Sequence, residues 1–119
     1  MNEKKEDNKL GSINVSNEII ANIVGAAVTE IDGVVSLSGG VADGIAEFLR
    51  KKDYSKGIDL EINDGKIRID ISVILEFGLR IPDIAWKIQQ NVKRRIEEMT
   101  DLSVSAVNVL VRGVELKNE

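Results

Sequence analysis

The chain of 119 residues has 43% hydrophobic and 30% charged side chains, the balance of one folded domain rather than of a disordered segment. Its formal net charge of −4 disfavours broad binding to nucleic-acid phosphates, because such binding needs clustered Lys and Arg. The chain has no His and no Cys, so it lacks the usual proton shuttle near neutral pH, a thiolate nucleophile and a Cys-based zinc site. Composition therefore excludes the commonest catalytic groups and predicts a protein that acts by binding, without cofactor or metal.

The first residues carry charges and almost no apolar side chains, which is not the pattern of a signal peptide. No apolar run approaches the roughly 18 residues of a spanning helix. We expect a flexible tail over 1–10, a single α+β domain over 11–116 and a flexible end over 117–119. The absence of Cys fits a reducing cytosol, and any membrane contact is expected at the membrane periphery, made directly or through another molecule.

The first element with helical spacing follows Ser16, whose hydroxyl is suited to cap a helix start. One apolar stripe is predicted for this helix, and Asp32-Gly33 should end it; its members are Ile19, Ile20, Ile23, Val24, Ala27, Val28 and Ile31. A short edge strand over 11–15 is predicted before the helix, and a strand over 34–37 after it.

A short amphipathic helix is predicted over 41–52, with an apolar face and a cationic end. The residues proposed to make its contacts are Ile45, Phe48, Leu49, Lys51 and Lys52. Two interpretations stay open: the face caps an open side of the sheet, or it lies on an anionic membrane surface. The glycine-containing segment 39–44 overlaps the start of this helix. It fits neither the P-loop pattern nor the dinucleotide-binding pattern, so a plain connection is favoured over a phosphate-binding loop.

Strands over 57–62 and 66–77 are joined by Asn63-Asp64-Gly65, which predicts a tight hairpin. Ile81-Pro82 opens the last helix, because proline is tolerated in a first turn. Its predicted buried stripe is Ile81, Ile84, Ala85, Ile88, Val92, Ile96 and Met99. Thr100-Asp101 should close it, and a final strand is predicted over 104–114. The elements predict a two-layer α+β sandwich in the order α-β-β-β-α-β, with two main helices on one face of a mixed sheet of about four strands.

Trp86 lies on the opposite side of its helix from the predicted stripe and should face outward. An exposed tryptophan among polar and cationic groups is a plausible interface anchor, and the alternative is that it packs on a neighbouring loop. The candidate partner surface comprises Trp86, Lys87, Gln90, Lys93 and Arg94.

Other charged groups favour a structural interpretation. Glu97 and Glu98 balance the helix cations, so a solvated face is favoured over nucleic-acid binding. Asp59, Glu61 and Asp70 alternate with apolar residues on the hairpin and should point at solvent, which makes them poor general acids.

Three stretches resemble the alkaline shock protein family of Gram-positive bacteria, also called the envelope stress response family: "GSINVSNEIIANIVGAAVTEIDGV", "DGKIRIDISVILEFGLRIPDIAWKIQQNVKRRIEEMT" and "SVSAVNVLVRGVEL". The most characteristic parts are Phe77-Gly78, Ile81-Pro82, Ala85 with Lys87, and Val107-Asn108-Val109. The resemblance covers about Gly11 to Leu116, and the chain departs from the family at Trp86, where a polar residue is more usual.

The resemblance implies a cytoplasmic, non-enzymatic protein of cell-envelope homeostasis and stress. It would act by self-association as a homo-oligomer or by binding a membrane-anchored protein partner. An alternative is a regulatory partner of a fatty-acid or lipid synthesis enzyme, and an RNA-binding domain is a third, disfavoured by the acidic charge balance.

Overall fold

The computed structural model describes residues 10–38 and 56–116. These residues form two helices and four strands, in the order α1 (Asn17–Thr29), β1 (Val34–Leu37), β2 (Ile58–Asn63), β3 (Lys66–Glu76), α2 (Ile81–Met99) and β4 (Ser103–Glu115). The glycine-containing connection over 39–44, the predicted amphipathic helix over 41–52 and the terminal segments 1–9 and 117–119 lie outside the described residues.

Helix α1 begins where the sequence predicts. The Ile19 backbone N–H donates to Ser16 Oγ at 3.2 Å, which satisfies one of the free donors of the first turn. Ile20, Val24 and Val28 are buried as expected. The prediction was wrong at Ile19, which is 50% exposed because it lies at the margin of the buried stripe, in the first turn of the helix.

The predicted edge strand over 11–15 is absent from the structure, in which residues 11–16 belong to no helix or strand. Ile13 is 82% exposed. Together with Val15, it borders a depression against Ile20 on α1 and Met99 at the end of α2. The apolar alternation was real, but these side chains face the helix ends, and a strand requires backbone pairing with a sheet edge.

Strand β3 is the centre of a mixed sheet. It pairs with β4 in parallel over Lys66–Glu76 and with β2 in antiparallel fashion over Lys66–Ile71. Strand β1 pairs with the remaining part, Val73–Leu75. At Ser72, the N–H donates to Gly57 O and the carbonyl accepts from Ser38 N, both at 2.8 Å, so β1 and β2 share one edge of β3 in succession. Strand β4 therefore occupies the other edge alone.

The hairpin between β2 and β3 has the predicted turn. Asn63 pairs with Lys66, so the loop consists of Asp64 and Gly65. Both have positive φ angles, 57° and 78°, as a two-residue turn that matches strand twist requires.

Helix α2 connects the parallel strands β3 and β4 and packs on the sheet beside α1. Ile84, Ile88, Val92 and Ile96 are buried, as predicted. The predicted stripe was wrong at its two ends, since Ile81 is 39% and Met99 59% exposed. Ile81 is the first and Met99 the last residue of α2, so both lie outside the buried middle of the helix.

The core lies between the two helices and one face of the sheet. The β3 residues at odd positions supply its centre, because alternate side chains of a strand point to one face; Ile67, Ile69, Ile71, Val73 and Leu75 are all at most 1% exposed. The two-layer α+β fold with a mixed sheet is thereby confirmed.

Candidate interaction surfaces

Trp86 is presented on the outer side of α2. It is 59% exposed, whereas Ile88, two residues on and nearly opposite on the helix, is fully buried. The ring borders a depression of about 350 Å³, lined by Ile31, Trp86, Lys87, Gln90, Asn91 and Arg94. We call the set Ile31, Trp86, Lys87, Gln90 and Arg94 the Trp86 surface.

A hydrogen-bonded junction between α1 and α2 supports this surface from below. Asn91 is buried, and its amide N–H groups donate to Ala27 O at 2.8 Å and to Glu30 Oε2 at 2.6 Å. Its amide oxygen accepts from Arg94 at 2.5 Å. Arg95 donates to both Glu30 carboxylate oxygens at 2.8 and 2.7 Å. The junction fixes the end of α1 against α2, which holds Ile31 beside Trp86.

The cations of α2 differ in how they are paired. Lys93 is bound to Glu97 at 2.9 Å, and Arg94 lies 3.5 Å from Glu98. Within the described residues, Lys87 makes no hydrogen bond or ion pair, so its charge at the Trp86 surface is not balanced by a neighbour.

Lys93 does not line the depression beside Trp86. It borders a depression of about 200 Å³ on the opposite flank of α2, formed with Gln89, Gln90 and β4 residues 104–107. The structure thus brings together Trp86, Lys87, Gln90 and Arg94, with Gln90 between the two flanks.

Two side chains of that flank are hydrogen-bonded to the outer strand. Gln89 Nε2 donates to the Val107 carbonyl at 3.0 Å, and the Val104 backbone N–H donates to Glu97 Oε2 at 2.8 Å. Sequence reasoning missed both roles. The available signal was their spacing of eight residues, which places them on one side of a helix, but nothing in the sequence identified the strand beside them.

The sheet face away from the helices carries a charged network. Arg68 lies in the middle, bound to Glu61 on β2 and to Asp70 at 3.1 Å. Asn108 on β4 donates to Asp70 at 2.8 Å. The carboxylates of Asp59, Glu61 and Asp70 lie on this face as predicted, and the contacts of Glu61 and Asp70 link three strands.

Among the residues that the structure describes, the protein environment favours the charged form of each group whose pKa is shifted. The Asn91 amide and Arg95 lower the pKa of Glu30, and Asn108 and Arg68 lower that of Asp70. The Val104 N–H and Lys93 lower the pKa of Glu97. The pKa of Arg68 is raised by Asp70 and Glu61. A general acid needs the opposite shift in a carboxyl group, so these residues are suited to structural pairing.

Neither metal binding nor membrane spanning has support in the segments 10–38 and 56–116. No group of three or more acidic residues there could hold a metal ion, and neither helix is long and apolar enough to cross a membrane.

Fold and surface together define a small two-layer α+β protein with exposed side chains suited to contact another molecule. The chain belongs to the alkaline shock protein 23 family, which is described as having a cell envelope-related function and whose model matches residues 5–116. The resemblance read from the sequence is thereby confirmed.

Curated relatives cover nearly the whole chain. The uncharacterized protein YqhY of Bacillus subtilis is 34% identical over 92% of this chain and 82% of its own length. The uncharacterized protein YloU of the same organism is 34% identical over 92% of this chain and 93% of its own. A protein named stress response regulator gls24 homolog, from Streptococcus pyogenes, is 26% identical over 92% of this chain and 62% of its own. No solved structure gave a significant match.

Proposed function

We propose that this protein is a non-enzymatic interaction protein of cell-envelope stress and homeostasis, which binds a membrane-linked protein partner through the Trp86 surface and also self-associates. The family's cell envelope-related function and the name of the streptococcal relative support the process. The Trp86 surface supports the mode of action.

The observation that carries the proposal is the exposure of Trp86 on a rigid support. A tryptophan that is 59% exposed leaves a large apolar area in water, and such side chains are enriched among residues that dominate binding energy. Since its helix is fixed to α1 by Asn91 and to the sheet by buried Ile88, the ring is held in place before a partner arrives.

The charges beside the ring indicate the chemistry of the partner. Lys87 has no described counter-ion, and Arg94 donates to Asn91 and lies 3.5 Å from Glu98. A partner surface with an apolar side chain between carboxylates would place that side chain on Trp86 and the carboxylates near these cations.

The test is recovery of partners from the protein's own host, with the membrane fraction solubilised or removed. We expect tagged wild-type chain to retain a membrane-linked protein and Trp86→Ala to lose it. Met99→Ala is the matched control, because Met99 is also 59% exposed on α2 but lies at its far end.

A second measurement uses the single tryptophan of the chain. Adding the isolated partner should shift Trp86 emission to shorter wavelength as the ring leaves water. Equal recovery of every partner by wild type and Trp86→Ala would remove the Trp86 surface from the proposal.

A further inference from the structure

Strand β4 ends the sheet, and no strand in the described part of the chain pairs with its outer edge. An unpaired edge is a template for another strand, and proteins protect such edges with side chains or irregularities. Here α2 protects only the beginning of the β4 edge. Glu97 accepts a hydrogen bond from the Val104 N–H, and Gln89 donates one to the Val107 carbonyl. Beyond Val107 neither side chain reaches the edge.

The backbone N–H and C=O groups of Val109 and Val111 point away from β3, toward the outer edge of the sheet. From Val107 to Val111, the pairing of β4 with β3 continues without irregularity. Alternate residues of a strand direct their N–H and C=O groups to the same edge. Since the Val107 carbonyl faces outward to Gln89, Val109 and Val111 direct their groups outward as well.

We propose that Val109–Val111 pairs in antiparallel fashion with the same segment of a second copy of this chain, about a two-fold axis through Leu110. In this register, Val109 of each copy exchanges both backbone hydrogen bonds with Val111 of the other. The same surface serves on both sides, as a two-fold interface requires. The two sheets become one continuous sheet.

Side chains on the axis favour this register. Leu110 is 52% exposed, because it lies on the edge strand and on the face of the sheet away from the helices, opposite Ser72. In the proposed pair, the two Leu110 side chains face each other with Cβ atoms about 4.5–5.5 Å apart, so each covers the other.

Charge favours a second copy in this register over other alignments. The segment Val107–Val111 has no charged residue, so two chains of net charge −4 can meet there without opposing like charges. Centring on Leu110 leaves Arg112 of each copy beyond the paired segment and away from Arg112 of the other copy. Centring on Arg112 would instead place two guanidinium groups opposite each other, which is destabilising.

The contact is limited in length. Gln89 and Glu97 occupy the edge before it, and the pairing irregularity that follows Val111 ends it. A reversible dimer is therefore expected rather than an unlimited sheet. This inference rests on the self-association in the proposed function and gives it a site separate from the Trp86 surface.

The test introduces a charge of either sign at position 110. Light scattering of the full chain over a concentration series then measures self-association. We expect a dimer for wild type, and self-association at least about tenfold weaker for Leu110→Lys and for Leu110→Glu, because each opposes like charges on the axis. Mixing the two variants in equal amounts should restore a dimer. Leu116→Lys is the control, since Leu116 is 75% exposed just beyond the same strand.

Circular dichroism of each variant confirms that it is folded. A monomeric wild type would overturn the proposal. This holds also if the β4 edge of the monomer binds an extended peptide from another protein. Equal self-association of Leu110→Lys and Leu116→Lys, or a mixture that stays monomeric, would overturn it too. Loss of the dimer in Leu110→Lys should leave Trp86-dependent partner recovery unchanged, and Trp86→Ala should remain a dimer, so the two proposals fail separately.

Discussion

Asn91 on α2 donates a hydrogen bond to the carbonyl oxygen of Ala27 on α1, at 2.8 Å and across 64 positions of the chain. The carbonyls in the last turn of a helix have no partner within the helix, and Asn91 satisfies one of them. Its amide also binds Glu30 and Arg94, so all its polar atoms are paired in a buried position. One side chain thereby joins the helix layer and supports the Trp86 surface.

Replacing Asn91 with Leu should lower the free energy of unfolding by about 1–3 kcal/mol, because a buried carbonyl and two charged groups lose their partner. Urea denaturation followed by circular dichroism measures the change. Asn108→Ala is the control, since Asn108 is exposed on the other face of the sheet and makes one hydrogen bond to Asp70. A smaller loss for Asn91→Leu than for Asn108→Ala would contradict the role of the junction.

Gly33→Ala should destabilise the loop that follows α1. Gly33 has a φ angle of 103°, and an added Cβ would lie 2.8 Å from Ile84 Cδ1 and 3.1 Å from Leu79 Cδ1. Both nearest atoms are side-chain ends that can shift, so strain and crowding together should cost about 1–3 kcal/mol. Gly65→Ala is the control, because its φ is also positive, at 78°, but the added Cβ meets nothing within 4 Å. The difference between the two variants in thermal unfolding measures the crowding alone, and equal losses would contradict it.

The sequence predicted the elements that depend on local signals. Ser16 identified the start of α1, Asp64-Gly65 the hairpin turn and Ile81-Pro82 the start of α2, because capping and turn chemistry act within a few residues. The alternation of Ile13 and Val15 gave a false strand, since period two does not show whether a sheet edge is available. Ile19, Ile81 and Met99 were predicted as buried because helical spacing does not show where the packed part of a helix begins and ends.

The candidate surfaces were less predictable. Helical geometry was enough to place Trp86 outside, and the structure agrees. Lys93 lines a second depression with Gln90, toward β4, and the two depressions can be told apart only when the neighbours of the helix are known. The Asn91 junction and the contacts of Gln89 and Glu97 with β4 depend on residues up to 64 positions away, and a single sequence carries no signal for such pairs.

Acid should destabilise the fold partly through Glu30. Its pKa is lowered in the folded protein, chiefly by the Asn91 hydrogen bond, so the unfolded chain binds its proton more readily. The resulting stabilisation is complete above the pKa of the unfolded chain and is lost as pH falls through the lower, folded pKa. In Glu30→Gln, the free energy of unfolding should therefore fall less steeply over this acidic range.

Denaturant titrations at a series of acidic pH values measure that slope. Asp59→Asn is the control, because the Asp59 carboxylate is exposed and has no described hydrogen bond or ion pair. Parallel curves for wild type and Glu30→Gln would contradict the assignment to Glu30.

Substitutions at Trp86 and Ile88 should have different effects on the free energy of unfolding, because one side chain is exposed for binding and the other is buried in the core. Ile88 is fully buried, so Ile88→Ala should cost about 2–5 kcal/mol through lost packing and a cavity. Trp86→Ala should cost less than about 1 kcal/mol, because the ring is 59% exposed. Urea denaturation by circular dichroism suits both variants, since the signal does not depend on tryptophan. A loss for Trp86→Ala as large as that for Ile88→Ala would show that the ring is structural.

Removing the side chains that cover the beginning of β4 should strengthen self-association. In Gln89→Ala the Val107 carbonyl loses its partner, and in Glu97→Ala the Val104 N–H loses its own. Both groups then become available to a second strand, so the double variant should dimerise more tightly than wild type or associate further. Gln90→Ala is the control, because Gln90 lies on the same helix without a described hydrogen bond to β4. Concentration-dependent light scattering measures the effect, and unchanged association of the double variant would show that these side chains do not protect the edge.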